Sequence, residues 1–143
     1  MATMSELVNE SKLGVAKGTA VEGAVNNNFR GETAEVGLYL AMARQAGREG
    51  YPEVARALVD IAWEEAQHAA LYAELNGLIA PNTKDNLQKM LAGEAAANKG
   101  KKESALKAKQ IGCDPACNIF DESSRDEGRH ARSLEGLLKR YFP

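Results

Sequence analysis

The sequence predicts an all-α fold built from four long helices. Apolar residues recur at helical spacing through most of the 143 residues, and the strict alternation that is typical of β-strands is absent. Glycine and proline mark the turns between the helical segments. A chain of this length is enough for one domain with a sizeable core. The predicted class is therefore a bundle, in which helices pack on helices.

The four predicted helices follow a lead-in of residues 1–18 and form a single domain over residues 19–143. A proline at position 52 suits the first turn of the second helix, and Asn82 or Thr83 can cap the third. Gly112, Asp114 and Pro115 mark the turn before the fourth. The predicted helices cover approximately residues 19–45, 52–75, 85–109 and 116–138.

Charge and hydropathy exclude several classes of partner. The formal net charge is −2, which gives no electrostatic reason to expect binding to nucleic acid. No apolar run approaches the roughly 20 residues that span a bilayer, so we expect no membrane association. The polar N-terminus does not look like a secretion signal, and we expect a cytoplasmic protein. The lysine-rich segment 99–109 is expected to be a solvated helix face.

An internal repeat is the most informative feature of the sequence. A shift of 62 residues places each half of the chain on the other without a gap. Both halves carry Gly-Glu on one helix and Glu-x-x-His on the next, and the two histidines of the chain both fall in this pattern. The repeated acidic and imidazole residues are Glu32, Glu65 and His68 in the first half and Glu94, Glu127 and His130 in the second.

This pattern has the composition of a metal site. Residues three apart lie on the same side of a helix, so a Glu-x-x-His pair can bind one metal ion or two adjacent ones. Two such pairs, with one Glu from each remaining helix, form the ligand set of a dinuclear carboxylate site in a four-helix bundle. Oxygen-rich ligation favours iron or manganese over zinc. The alternative is a plain bundle with solvated carboxylates, which two copies in register disfavour.

Four segments of the sequence resemble the rubrerythrin branch of the ferritin-like proteins, over about residues 19–140. They are FRGETAEVGLY, EGYPEVARALVDIAWEEAQHA, NLQKMLAGE and DEGRHARSLEGLL. The resemblance implies a ferritin-like four-helix bundle made of two helical hairpins and holding two iron ions, with manganese as the other candidate. Its implied ligands are Glu32, Glu65, His68, Glu94, Glu127 and His130, with Glu65 and Glu127 as the bridging carboxylates.

Two positions around this ligand set need separate interpretation. Rubrerythrins usually carry a further Glu three residues after the ligand on the third helix, and here that position is Ala97. Glu35, its equivalent on the first helix, is expected to be the seventh ligand, and a solvent-facing carboxylate is the alternative. Tyr39 matches a tyrosine beside the di-iron centre, where it could donate a hydrogen bond to hydrogen peroxide or to a ligand. Its alternative role is packing.

The resemblance implies that the protein is a peroxidase that reduces hydrogen peroxide to water in oxidative-stress defence. The Cys-x-x-Cys pairs of a rubredoxin module do not occur in the sequence, so the electrons are expected from a separate protein such as rubredoxin. Cys113 and Cys117 have neither zinc-site nor thioredoxin-like spacing, and both an inert and a redox role remain open. The alternatives are ferritin-like iron oxidation and storage, and a metal-stabilised interaction module without turnover.

The link between the second and third helices is short for a ferritin-like arrangement. In that arrangement the link must travel about 30 Å along the bundle, whereas seven or so residues span at most about 25 Å. The simplest solution is a homodimer that exchanges helical hairpins. Each site would then take one half of its ligands from each chain. A self-contained bundle is the alternative, since predicted helix ends carry errors of several residues.

Overall fold

A computed structural model describes residues 13–143 of the chain, and these residues form four α-helices and no β-strand. The prediction of an all-α protein with four long helices is confirmed. Residues 1–12, which belong to the predicted lead-in, lie outside the described part. The helices are α1 (Glu22–Arg48), α2 (Pro52–Leu75), α3 (Thr83–Gln110) and α4 (Asp114–Tyr141).

The ends of α1 differ from the predicted ones by three residues in the same direction. Residues before Glu22 form turns instead of helix, in which the Thr19 hydroxyl donates to the carbonyl of Ala16. The helix then continues through Gly47, because the backbone reverses only at Gly50, where φ is +85°. A glycine tolerates that left-handed conformation without steric cost. The turn prediction was therefore correct in place, but only one of its glycines makes the turn.

The start of α4 also differs from the prediction, and proline explains the difference. The helix begins at Asp114, so that Pro115 lies in its first turn. A proline costs nothing there, because the N–H groups of the first turn have no partner within the helix. At the start of α3, Asn82 is the N-cap and its side chain accepts a hydrogen bond from the Asp85 N–H at 2.9 Å. The predicted cap at Asn82 is confirmed.

The first hairpin consists of α1 packed against α2. Its buried residues are small, with Ala43, Ala46, Ala62 and Ala69 among them, which lets the two helices approach closely. Asn76 fastens the end of α2 to the start of α1, because its amide donates to the carbonyl of Glu22 and to the side chain of Asn26. It is one of the few buried polar residues.

The segment before α1 is held against the end of α2. The N–H of Gly14 donates to the carbonyl of Glu74 at 2.8 Å, and the N–H of Ala16 donates to that of Leu75 at 2.9 Å. Gly14 also approaches Gly77 so closely that a Cβ on Gly77 would lie 3.2 Å from the Gly14 Cα. The described end of the predicted lead-in is thus attached to the first hairpin.

The second hairpin consists of α3 packed against α4, and it repeats the first in its boundaries. The turn glycine Gly112 has φ +72° and is equivalent to Gly50. Ala105 and Ala108 are buried, as are their equivalents Ala43 and Ala46. The helices on either side of each turn also end and begin at positions 62 residues apart, 48 and 110 before the turn and 52 and 114 after it. The sequence repeat is therefore a structural repeat.

The chain divides between Ile79 and Ala80 into two compact units, one for each hairpin. Many large apolar side chains are exposed, including Leu38, Trp63 and Ile119. Within the described residues, no helix has the length and hydropathy needed to cross a membrane. The division of the chain into residues 1–18 and one domain over 19–143 stays a prediction.

Candidate metal centre

The first cluster of candidate ligands lies in the first hairpin and joins α1 to α2. Glu32 comes from α1, and Glu65 and His68 lie one turn apart on α2. The His68 Nδ1 is 3.1 Å from Glu65 Oε2 and 3.7 Å from Glu32 Oε2. Both carboxylates are largely buried, at 18% and 17% side-chain exposure, whereas the imidazole is 53% exposed. One ligand atom from each residue lies within 4.8 Å of the others.

The two carboxylates of this cluster share a hydrogen bond that shifts their pKa values in opposite directions. A hydrogen bond with Glu65, together with desolvation, raises the pKa of Glu32 above its ordinary value. The same hydrogen bond, followed by that with His68, lowers the pKa of Glu65. The Glu65 carboxylate in turn raises the pKa of His68. Without a metal, these shifts favour the neutral form of Glu32, the ionised form of Glu65 and the protonated form of His68.

The second cluster lies in the second hairpin and has the same construction. Glu94 comes from α3, and Glu127 and His130 come from α4. The His130 Nδ1 is 3.0 Å from Glu127 Oε2 and 3.5 Å from Glu94 Oε2. Here too the carboxylates are largely buried and the histidine is exposed, and one ligand atom from each residue lies within 4.8 Å of the others.

A lysine distinguishes the second cluster from the first. The Lys101 Nζ forms an ion pair with Glu127 Oε1, so that both oxygens of this carboxylate have a partner. Lys102 likewise reaches α4, where its Nζ lies 2.5 Å from Asp121 Oδ1. Lys102 is exposed, as expected for a solvated face of segment 99–109, whereas Lys101 is half-buried against Glu127. The sequence signal for Lys101 was its position seven residues, or two helical turns, after Glu94.

The other predicted site residues lie near the clusters but outside them. Glu35 is exposed, and its charge makes the smallest contribution to the raised pKa of Glu32. Tyr39 is half-buried on α1, and Ala97 is half-buried on α3. The roles of Glu35 as a seventh ligand and of Tyr39 in catalysis stay predictions.

The donor set of both clusters fits a divalent metal ion. Each cluster offers two carboxylates and one imidazole, which suit iron or manganese. A largely buried pair of carboxylates is costly unless a cation or a proton compensates it. In the first cluster the hydrogen bond with Glu65 and desolvation raise the pKa of Glu32, and a metal ion would offset the same cost. Both clusters are those that the sequence repeat predicted, and the helix-to-helix pairing of Glu32 and of Glu94 is supplied by the fold.

Antiparallel helical hairpins that each carry Glu opposite Glu-x-x-His define the class of ferritin-like proteins with carboxylate-bound metal ions. A family model described as Rubrerythrin matches residues 24–138, and the chain belongs to the rubrerythrin family. The resemblance seen in the sequence and the ferritin-like class are thereby confirmed. The family implies a di-iron centre of the kind used in oxidative-stress defence.

Two relatives are similar over nearly the whole chain. An uncharacterised protein of Methanocaldococcus jannaschii is 64% identical over 137 residues, which are 96% of this chain and 97% of that protein. The reverse rubrerythrin-1 of Clostridium acetobutylicum is 51% identical over 138 residues, which are 94% of this chain and 76% of the relative.

Proposed function

We propose that the protein is a di-iron peroxidase that reduces hydrogen peroxide to water. Each turnover consumes one hydrogen peroxide, two protons and two electrons and yields two molecules of water. The electrons come from a separate redox protein, for which a rubredoxin is the natural candidate. The observation that carries the proposal is the pair of matched clusters, because two equivalent ligand sets suit two metal ions that change oxidation state together.

The ligand residues have separate roles in this proposal. Glu32 and His68 would hold one ion and Glu94 and His130 the other, with Glu65 and Glu127 as the carboxylates shared between them. The iron ions, when bound, would supply the two electrons for cleavage of the O–O bond. Glu32 and Glu65, which share a hydrogen bond, could also pass protons to the oxygen that leaves as water.

Two further residues belong to the proposed site, one that contacts the substrate or a ligand and one that binds metal. Tyr39 lies two turns after Glu32 on the same face of α1, and its hydroxyl donates a hydrogen bond to hydrogen peroxide or to a ligand carboxylate. Glu35 is one turn from Glu32 and serves as the seventh ligand. Both assignments can be tested separately, because Tyr39→Phe should slow the reaction with peroxide without changing metal content, whereas Glu35→Gln should weaken metal binding.

The proposed assembly is a homodimer in which each site combines the first cluster of one chain with the second cluster of its partner. Seven residues, 76–82, link α2 to α3, and they span at most about 25 Å. The first hairpin also has an open apolar groove of about 270 Å³ between α1 and α2, close to Glu32 and Glu65 and lined in part by Trp63. Trp63 is 69% exposed, and a partner chain that covers it would shield the site from water.

Metal analysis followed by rapid mixing tests the enzymatic proposal. Protein loaded with ferrous iron should bind two ions per chain, and peroxide should oxidise it much faster than dioxygen does. Binding of fewer than two ions would contradict the proposal. Accumulation of many irons per chain, with fast oxidation by dioxygen, would instead indicate iron storage. Binding of two ions without any turnover of peroxide would indicate a metal-stabilised interaction module.

Complementation between two inactive variants tests the proposed exchange of hairpins. His68→Ala and His130→Ala each damage every site in their own homodimer. In a mixed dimer with exchanged hairpins, one site carries both substitutions and the other carries neither. Co-refolding the two variants should therefore restore two-ion sites in mixed dimers. A mixture without any restored site, or a loaded protein with the mass of one chain, would contradict the exchange.

A further inference from the structure

Lys101, two helical turns after Glu94 on α3, differs in chemistry from Tyr39, its equivalent on α1. The 62-residue repeat places Lys101 on Tyr39 as it places Glu94 on Glu32. Both residues are half-buried. The ligand pattern is thus symmetric, but the side chain next to it is a neutral phenol in one hairpin and an ammonium in the other.

The ammonium of Lys101 contacts a ligand directly. Its Nζ pairs with Oε1 of Glu127, while His130 lies at Oε2 of the same carboxylate. Lys101 is 37% exposed and Glu127 only 14%, so the contact is partly shielded from solvent and from screening by salt. Among the described residues, the carboxylates of the first cluster have only His68 as a cationic partner. No lysine or arginine in that part of the chain reaches them.

A metal ion and an ammonium compete for the same carboxylate oxygen. A cation that enters the second cluster must either displace Lys101 from Glu127 or bind beside its charge, and both cost free energy. Each cluster contains one histidine, but a metal ion that enters the first cluster has no lysine or arginine to displace there. The two positions of the proposed site should therefore differ in affinity, although their ligand residues are identical.

We infer that Lys101 is a positioning residue that holds Glu127 in the metal-free protein and makes the second cluster the weaker of the two metal positions. This inference rests on the proposed function, because it assumes that both clusters bind metal. Its consequence is an order of loading, in which the first cluster fills before the second.

Titration of the metal-free full-length protein with Co²⁺, followed by calorimetry and visible absorption, tests the inference. The affinity of each cluster is isolated in the single variants, since His130→Ala leaves the first cluster intact and His68→Ala leaves the second. The remaining cluster of His68→Ala should bind Co²⁺ about tenfold more weakly than that of His130→Ala, as expected for one partly shielded charge. Equal affinities would overturn the inference.

Substitution of the lysine identifies the cause. Adding Lys101→Met to His68→Ala should tighten Co²⁺ binding about tenfold, whereas Lys101→Arg should leave it unchanged because it retains the charge. Lys102→Met is the matched control, since Lys102 forms an equivalent ion pair with Asp121 on α4 but contacts no ligand. Lys101→Gln provides a second neutral variant that retains polarity. No change, or weaker binding, in both neutral variants would overturn the inference.

The same titration separates this inference from the proposed function. If the unmodified protein binds fewer than two Co²⁺ ions per chain, the two-metal site itself is wrong. If it binds two and Lys101→Met has no effect, the proposed function stands and the inference fails. Higher salt should reduce the effect of Lys101→Met, because a charge effect is screened and a purely steric effect is not.

Discussion

The two helical hairpins have the same ligands and the same turn, but they hold their helices together by different chemistry. In the first hairpin, the residues that follow the cluster along the helix interface are apolar. Val36 and Leu40 of α1 lie opposite Ala62 and Val59 of α2, and with Trp63 they line an open groove. Contact between these helices is therefore dispersive and depends on shape.

In the second hairpin, the equivalent residues are polar and paired. Asn98 donates from its side-chain amide to the carbonyl of Ser124 at 2.6 Å, and the Ser124 hydroxyl donates to the carbonyl of Asn98 at 2.7 Å. Lys102 and Asp121 form an ion pair where the first hairpin has Leu40 and Val59. These bonds specify a direction and a register that apolar contacts leave free.

The comparison shows which part of the repeat is constrained. Ligand positions and turn glycines are the same in both halves, because a metal site needs particular atoms and a tight turn needs a positive φ. The residues beside them need only keep two helices together, and either apolar or paired polar side chains can do this. As a result, the residues next to the first cluster are apolar, whereas those next to the second are polar or charged.

Removal of a bridging carboxylate should have the largest effect and should be similar in both hairpins. Glu65→Ala and Glu127→Ala are each expected to weaken Co²⁺ binding by more than about 100-fold, since changing even an indirect partner of a ligand costs 10–100-fold. Calorimetric titration measures this loss. The control is Glu64→Ala, which removes an exposed neighbour of Glu65 and should bind normally; a comparable loss there would contradict the ligand assignment.

Enlargement of a buried alanine tests the part of the packing that the hairpins share. Ala43 and Ala105 are equivalent and are 6% and 3% exposed. Ala105→Leu should destabilise the protein by about 1–3 kcal/mol, because the added side chain overpacks the contact between the helices. Ala43→Leu should cost less, because Ala43 also lines an open groove between α1 and α2. Urea denaturation followed by circular dichroism measures the change. Ala96→Leu at an exposed position of α3 should have little effect, and an equal loss there would show that packing is not the cause.

Asn98 and Ser124 of the second hairpin stand where the first hairpin has Val36 and Ala62, and exchanging them tests how the packing of the two hairpins differs. Asn98→Val alone removes the amide that donates to the Ser124 carbonyl and hydroxyl and should cost about 1–3 kcal/mol, while the Ser124 hydroxyl keeps its bond to the Asn98 backbone carbonyl. Adding Ser124→Ala should then cost less than Ser124→Ala alone, because the contact between the amide and the hydroxyl is already lost and both positions match Val36 and Ala62. A double-mutant cycle in urea measures the coupling. Simple additivity would show that the pair contributes no specific bond.

Titration of His68 should give the smallest effect, and it concerns the metal-free protein. The Glu65 carboxylate raises the pKa of His68. The stabilising charge on His68 is therefore fully present below the pKa of the unfolded chain and is lost as pH rises through the higher folded pKa. Metal binding to this cluster should weaken as pH falls through that same folded pKa. NMR titration of the metal-free protein measures the pKa of His68, and His130→Gln assigns the two histidine signals. A pKa of His68 below that of a free imidazole would contradict the prediction.

The sequence by itself determined the four helices, the turns and the six residues of the two candidate clusters. Each of these depends on local chemistry or on the repeat: helical periodicity, a glycine with positive φ, and Glu-x-x-His on one face. Helix ends were less predictable. The first turn of α4 includes Pro115, and α1 passes through Gly47, because a proline or a glycine permits more than one local structure.

Only the tertiary structure decided which side chains meet across two helices. The sequence placed Lys101 in a lysine-rich stretch that could be solvated throughout, whereas packing of α3 on α4 brings its ammonium to Glu127. Glu35 shows the reverse case, since it repeats the spacing of a ligand but is exposed beside Glu32. Cross-helix contacts depend on the rotation and register of both helices, and these are set by the small residues buried between them, not by the pattern of either helix alone.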